Sequence, residues 1–374
     1  KKKIVSALLC VAMIATMVTG CGGSKSSSTS GNADSTAKQF EINAAIAANP
    51  PALDPHTVNA NVIGAIGIHI YEALFQMDEN YEPQPVLAES YEMSDDGKEY
   101  TIKLRQGVKF HNRDEMKADD VVASMNRWME LSPKAKTLIG GSVFEKVDDY
   151  TVKLTVNEPS SDIIMVLASP IQFAAIYPKS VVDSASDEGV KEYIGTGLYK
   201  VAEWKQDQYV KLEKYEDYQP AEGESSGLAG AKNAQADTIT FNIVTDTATR
   251  IAGVQNGQYD IAEDIPADQY KDLATDKNLT MDVRSGGTLN LFLNTTEGVM
   301  ADEKVRQAAL AALNCDDILM ASYGDADLYK LNAGWCNPDD AQWGTEAGSE
   351  YYNQNDVEKA KKLLSESSYN NEKI

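Results

Sequence analysis

From Phe40 onward, stretches of alternating apolar and polar residues take turns with stretches whose apolar residues recur every three or four positions. A chain patterned this way closes neither as a helical bundle nor as an all-β sandwich; it must layer sheet and helix. Residues 40–47, 100–104, 150–156 and 239–244 read as strands, and 198–204 with 209–214 as a hairpin across 205–208. Shorter strands are expected at 259–262 and 289–293. Helices are expected over 62–74, from Asp119 onward with Val121, Met125 and Trp128 on one face, and over 246–256, 302–313 and 356–365. Pro50-Pro51, Asp54-Pro55 and Asp95-Asp96-Gly97 mark turns, and the Gly/Ser/Ala-rich stretch 221–236 reads as an exposed loop. There is no internal repeat. At 374 residues and 43% hydrophobic, the chain exceeds the ~250–300 residues at which single cores stop growing, so several domains of α/β or α+β type are expected.

The first 38 residues follow other rules. Lys1-Lys2-Lys3 precedes an apolar run from Ile4 to Val18 and then Thr19-Gly20-Cys21. A cationic start, about 15 apolar residues and small residues before a cut site describe a secretory signal over 1–20. Spanning a membrane takes ~20 apolar residues, and this run stops short. The Val-Thr-Gly-Cys ending resembles the bacterial lipobox, which implies cleavage before Cys21 and a lipid on its sulfur. Residues 21–38 are then a lipidated cysteine and a flexible Gly/Ser/Thr tether, too poor in apolar groups to offset ordering entropy.

Little of the rest suggests covalent chemistry. The net charge of −23 leaves no basic stripe for a phosphate backbone, so nucleic acid is not an expected partner. His56, His69 and His111 have no second His or Cys at zinc spacing, and neither a metal site nor a cofactor is expected. Gly223-Glu224-Ser225-Ser226-Gly227 matches the GxSxG elbow of serine hydrolases, but the residues before it form no strand. The paired acids Asp95-Asp96, Asp119-Asp120 and Asp316-Asp317 suit turns and helix starts. With Cys10 in the signal and Cys21 lipidated, Cys315 and Cys336 remain; they form either a disulfide closing a loop of about 20 residues or two unlinked thiols.

The run Leu87-Ala88-Glu89-Ser90-Tyr91-Glu92-Met93-Ser94-Asp95-Asp96-Gly97-Lys98-Glu99-Tyr100-Thr101-Ile102-Lys103-Leu104-Arg105-Gln106-Gly107-Val108-Lys109-Phe110-His111, continued by Ala118-Asp119-Asp120-Val121-Val122, resembles the signature block of the peptide/nickel family of ABC-importer solute-binding proteins. Ile194-Gly195-Thr196-Gly197-Leu198-Tyr199 is similar to that family's GTGPY entry, with Leu198 in place of proline. Asn256-Gly257-Gln258-Tyr259-Asp260-Ile261, Asn294-Thr295-Thr296 with Lys304-Val305-Arg306-Gln307-Ala308, and Asp356-Val357-Glu358-Lys359-Ala360-Lys361-Lys362-Leu363-Leu364 match further blocks in the same order.

The resemblance implies an α/β, two-lobed periplasmic-binding-protein-like fold with an inserted extra domain. Its segments would be 39–70 and 193–264 for domain I, 71–192 for the domain II insertion, and 265–374 for a domain III whose C-terminal part is missing. It also implies an extracytoplasmic, non-catalytic subunit that captures oligopeptides in an interlobe cleft and delivers them to permease and ATPase subunits, as a monomer when full length. The cleft would include Val58, Asn59, Ala60 and Asn61 from one loop and Gly286, Gly287 and Thr288 from another. A nickel-chelate or oligosaccharide receptor is the alternative within the family. A secreted hydrolase using Ser225 and a lipoprotein for adhesion or chaperoning are the rivals outside it. The lipobox reading has a direct consequence: Cys21→Ser should move the protein from the membrane fraction to the soluble one, checked by fractionation and immunoblot. A variant held as firmly as the parent would refute lipid attachment.

Overall fold

A computed structural model describes residues 39–372 apart from 59, 187–188, 285–286 and 337–343. The signal, Cys21 and the tether lie outside the described residues. In chain order, β1 (Glu41–Ile46) and α1 (Asn61–Ile70) are followed by β2 (Phe75–Met77), β3 (Pro83–Pro85), β4 (Ala88–Met93) and β5 (Glu99–Leu104). Next come α2 (Ala118–Leu131), α3 (Pro133–Ile139), β6 (Val143–Asp148), β7 (Thr151–Thr155), α4 (Ile163–Ala168) and α5 (Lys179–Asp183). The chain continues through β8 (Tyr199–Lys205), β9 (Tyr209–Lys214), β10 (Thr238–Ile243), α6 (Thr247–Gln255) and β11 (Ile261–Ala262). It ends in helices: α7 (Tyr270–Ala274), α8 (Glu303–Ala312), α9 (Cys315–Tyr323) and α10 (Val357–Ser365).

Two larger sheets organise the body. A mixed sheet has the order β11-β1-β10-β9-β8, with β1 parallel to both β10 and β11 and the β8–β9–β10 part antiparallel. An antiparallel sheet has the order β4-β5-β7-β6. On the second sheet the alternation read from sequence holds: Tyr100, Ile102 and Leu104 on β5 and Val152 and Leu154 on β7 are buried. They pack in one core with Val121, Met125 and Trp128, the i, i+4 and i+7 positions of α2. The other core gathers Ile46, Ile63, Ile66, Ile70, Val210, Leu212 and Phe241 around the mixed sheet.

Residues 173–177 belong to both cores. Phe173, Ala175 and Tyr177 lie in the core of the mixed sheet, whereas Ala174 and Ile176 lie in that of the antiparallel sheet. This is the period of two of an extended chain, and Ile176 N–H donates to the Glu72 carbonyl at 3.0 Å as residues 71–75 cross alongside. The crossing explains why α1 stops short of the expected residue 74. Tyr71 turns to extended backbone (φ −119°, ψ 157°), so that Tyr71 and Ala73 enter one core while Leu74 and Phe75 enter the other.

The Gly195-Thr196-Gly197 stretch is pressed against the last turn of α1. Gly197 N–H donates to the Ile70 carbonyl at 2.9 Å, and a Cβ on Gly195 or Gly197 would strike the backbone at His69 and Ile70. That close approach is the physical reason for glycine at both positions.

Three expectations need correction. Residues 221–236 form a loop, but Ala221, Ala229 and Ala236 are buried, and Leu228 N–H donates to the Met77 carbonyl at 2.9 Å. Gly227 lies directly on the backbone of Asp78 and Glu79. The short strand expected at 259–262 shrinks to two residues. Residues 289–293 are irregular, with Leu289, Leu291 and Phe292 70%, 64% and 75% exposed. No described strand pairs with them, and alternation alone does not hold a strand without a neighbour's ladder. Cys315 and Cys336 are free thiols in this structure.

Acids read as helix starts serve as caps: Asp246 accepts from Thr249 N–H, Asp302 from Lys304 N–H and Asp356 from Lys359 N–H, each at 2.8 Å. Arg250, 2% exposed, fixes the edge of the mixed sheet. Its guanidinium donates to the carbonyls of Val244, Thr245, Glu263 and Asp264 and to Thr247 Oγ1, between 2.8 and 3.2 Å. Arg250→Ala would strand these acceptors and should lower unfolding free energy by about 3 kcal/mol. Arg250→Lys should recover little of that, because an ammonium cannot reproduce a five-donor fork. Urea denaturation measures both, and a loss below about 1 kcal/mol for the alanine variant would contradict this account.

Candidate functional site

The turn before α1 is built on a buried carboxylate. Asp54 Oδ1 accepts from His56 N–H at 3.1 Å, and the Asp54 carbonyl accepts from Thr57 N–H at 3.2 Å and Thr57 Oγ1 at 3.1 Å. Arg127 of α2 forks onto it, Nη2 to Oδ2 at 2.6 Å and Nη1 to Oδ1 at 3.3 Å. The Tyr177 hydroxyl donates to Oδ1 at 2.8 Å and Val190 N–H to Oδ2 at 3.0 Å. Burial pushes the Asp54 carboxyl up, but the Arg127 hydrogen bond and the charges and hydrogen bonds around it pull it below the usual carboxylate value. His56 completes the cluster: Nε2 lies 2.9 Å from the Ala175 carbonyl and Nδ1 lies 3.1 Å from Arg127 Nη1. Both contacts are met by a neutral ring with its proton on Nε2. Burial lowers His56 to about 4, Asp54 opposing and Arg127 assisting.

This cluster fixes the turn at residues 54–57 ahead of α1, and a cavity of about 440 Å³ lies between the start of α1 and residues 170–173. Pro55, Val58, Ala60, Asn61, Ile63, Gly64, Ala65 and Ile68 form one side, 170–173 the other, and Leu228 also lines it. Among the described residues no charged side chain lines it, so it suits uncharged groups and backbone amides rather than ions. A depression of similar volume at Ser94–Glu99 and Thr155–Val156 is open to solvent and carries Asp95, Asp96, Lys98 and Glu99.

The structure therefore brings Val58, Ala60 and Asn61 to one cavity. Asn59 and Gly286 lie outside the described residues. Gly287 and Thr288 do not line that cavity; Thr288 is exposed, its Oγ1 3.4 Å from the Trp335 carbonyl. Sequence reading missed 170–173, Leu228 and the second face of α1, although the spacing of Asn61, Gly64, Ala65 and Ile68 was a signal that could have found that face.

His56 and His111 are hydrogen-bonded within the fold. His111 Nδ1 accepts from Gly195 N–H at 3.2 Å and its Nε2 lies 3.0 Å from the Gly197 carbonyl, clamping the glycine crossover. His69 packs against the rings of Tyr199 and Phe241. Burial lowers both to about 4, with the Lys232 charge assisting at His69. Among the described residues no group of three or more His, Cys, Asp or Glu is arranged to hold a metal ion. Ser225 is itself exposed on an irregular loop, without the strand before and helix after that the hydrolase elbow requires.

The fold that carries this site is that of the bacterial periplasmic binding proteins, as its likeness to solved structures shows. A model of the bacterial extracellular solute-binding proteins, family 5 Middle, matches residues 82–374, and the chain belongs to that family. It is 32% identical over 340 residues to the glutathione-binding protein GsiB of Salmonella paratyphi A, covering 88% of this chain and 62% of GsiB. The chain thus spans less than two thirds of that relative's length. DppA from Helicobacter pylori, solved with the peptide STSA, is 25% identical with a TM-score of 0.69, over 88% of this chain and 66% of DppA. NikA from Brucella suis, solved with Fe(III)-EDTA, shares the fold at 24% identity and a TM-score of 0.73, over 87% of this chain and 64% of NikA.

The buried rings make stability depend on pH. A histidine at about 4 in the folded state and near 6.5 unfolded binds fewer protons when folded between those values. Its contribution is complete above pH 6.5 and is lost as pH falls towards 4, at up to ~1.4 kcal/mol per pH unit for each ring. Urea unfolding at pH 7.5 and pH 5.0 should show a clear drop at the lower pH, made smaller by His111→Gln. Equal stability at both values would mean that these rings protonate freely in the folded protein.

Proposed function

We propose that this chain is the solute-capturing component of an ABC importer, held outside the cytoplasm by a lipid on Cys21, and that its solutes are oligopeptides. The observation that carries the reading is the cavity beside α1: about 440 Å³, lined mostly by apolar residues together with Asn61 and Gln172, and with no charged residue among the described ones that line it. A peptide offers matching chemistry, amide groups for loop backbone and side chains for apolar walls. A metal chelate would bring its charge between these walls, whereas a peptide can keep its charged termini outside them and offer amides and side chains; among the described lining residues Phe173 is the lone aromatic ring for a sugar to stack on. The glutathione named in GsiB and the tetrapeptide held by DppA fall on the peptide side of that division.

The remaining parts follow from that role. Ligand capture would shift a hinge equilibrium by its differential contacts with the closed form. Permease and ATPase subunits would then receive the solute. A ligand binding only the folded protein adds RT ln(1 + [L]/Kd), ~2.7 kcal/mol at a hundredfold excess over Kd. Peptides of two to eight residues, glutathione included, should therefore raise the melting midpoint of the full chain by some degrees, while nickel salts should not. A shift with nickel–histidine chelates and none with any peptide would transfer the assignment to the chelate receptor.

A further inference from the structure

Helix α1 serves two purposes on two faces. Val62, Ile63, Ile66 and Ile70 are buried in the core of the mixed sheet. Asn61, Gly64, Ala65 and Ile68, at i, i+3, i+4 and i+7, line the cavity. Gly64 is the residue on that second face which the fold does not require. A Cβ added there meets nothing nearer than the Pro170 carbonyl oxygen at 3.9 Å, an ordinary contact, and its φ is not in the left-handed region. The glycines at 195 and 197, by contrast, have backbone where a Cβ would go. Glycine inside a helix is less stable than alanine, so α1 carries a weakening residue whose space opens into the cavity.

The facing wall is fixed. Gln172 has φ +52°, a region costly for a residue with a Cβ. Three hydrogen bonds hold it: Trp128 Nε1 to its carbonyl at 2.7 Å, and Ser132 Oγ and Lys134 N–H to its Oε1 at 2.7 and 2.9 Å. Ile171 beside it is 61% exposed, and Pro170 and Phe173 complete the wall.

We infer that this space is a pocket for one uncharged, apolar side chain of the ligand, and that Gly64 sets the largest side chain it accepts. The inference rests on the peptide reading and adds a specificity-determining residue to it. A leucine- or phenylalanine-like group gains by leaving water for these walls. A lysine or glutamate would lose hydration and meet no partner charge.

The test uses the full chain, Gly64→Ala and Gly64→Leu, with calorimetric titration of the tripeptides Ala-Gly-Ala, Ala-Leu-Ala and Ala-Glu-Ala. Saturation-transfer NMR with 4-methylpentanamide, a leucine-like fragment, runs alongside. The parent should favour the leucine peptide over the glycine peptide by roughly tenfold or more, the worth of a few buried methylenes. Gly64→Leu should erase that preference and the fragment signal. Gly64→Ala should melt about 1–2 °C higher and keep a reduced preference, which guards against misfolding of the leucine variant. Peptides that bind without side-chain preference, or a preference unchanged in both variants, would overturn the pocket and leave the peptide reading standing. Failure of every peptide with a fragment signal that Gly64→Leu abolishes would retire the peptide reading and keep the pocket. Failure of peptides and fragment together would remove both.

Discussion

A carboxylate taken out of water must be repaid by its surroundings, and Asp54 is repaid by five donors from four places in the chain. Its own turn, α2, Tyr177 and Val190 all converge on two oxygen atoms. None of these segments is held there by apolar packing alone. The ion pair with Arg127, 2.6 Å and buried on both sides, therefore decides where the turn at residues 54–57 lies ahead of α1. Removing either partner would leave an uncompensated charge, a more severe defect than replacing both by apolar groups. The cavity, the strained Gln172 and the neutral His56 are arranged around that fixed point.

A second buried carboxylate does comparable work a few residues later. Glu72 accepts from Thr196 Oγ1 at 3.0 Å and from the Tyr218 hydroxyl at 2.9 Å, with Lys232 at 3.4 Å. It ties the chain's passage between the cores to the glycine crossover and to the loop over β2. The loop at 221–236 is irregular in conformation and yet well anchored, which composition alone could not reveal.

What was legible in the sequence was local. Alternation on β5 and β7, the single face of α2 and the acids before α6, α8 and α10 each express contacts within a few residues, and each reading matches the structure. What was illegible depends on distance along the chain. Asp54 and Arg127 are separated by 73 residues and Asp54 and Val190 by 136, and no periodicity joins them. The early end of α1 and the irregular course of 289–293 likewise reflect the presence or absence of a neighbour supplied from elsewhere. Of the expected cleft residues, the loop next to α1 was readable because a turn and a helix start define it. The wall at 170–173 was not, because its left-handed residue is a glutamine rather than the glycine that usually marks such a position.

The shared stretch at 173–177 sets a rule for how this protein can change. Alternate residues there answer to different cores, so the segment is an index with a fixed count. Losing or gaining one residue would hand Ala174 and Ile176 to the core built for Phe173, Ala175 and Tyr177, and the reverse, spoiling both at once. Substitutions, by contrast, can be sorted by parity, each adjusting one core and sparing the other. Length is then the constrained quantity at the junction and side-chain size the adjustable one.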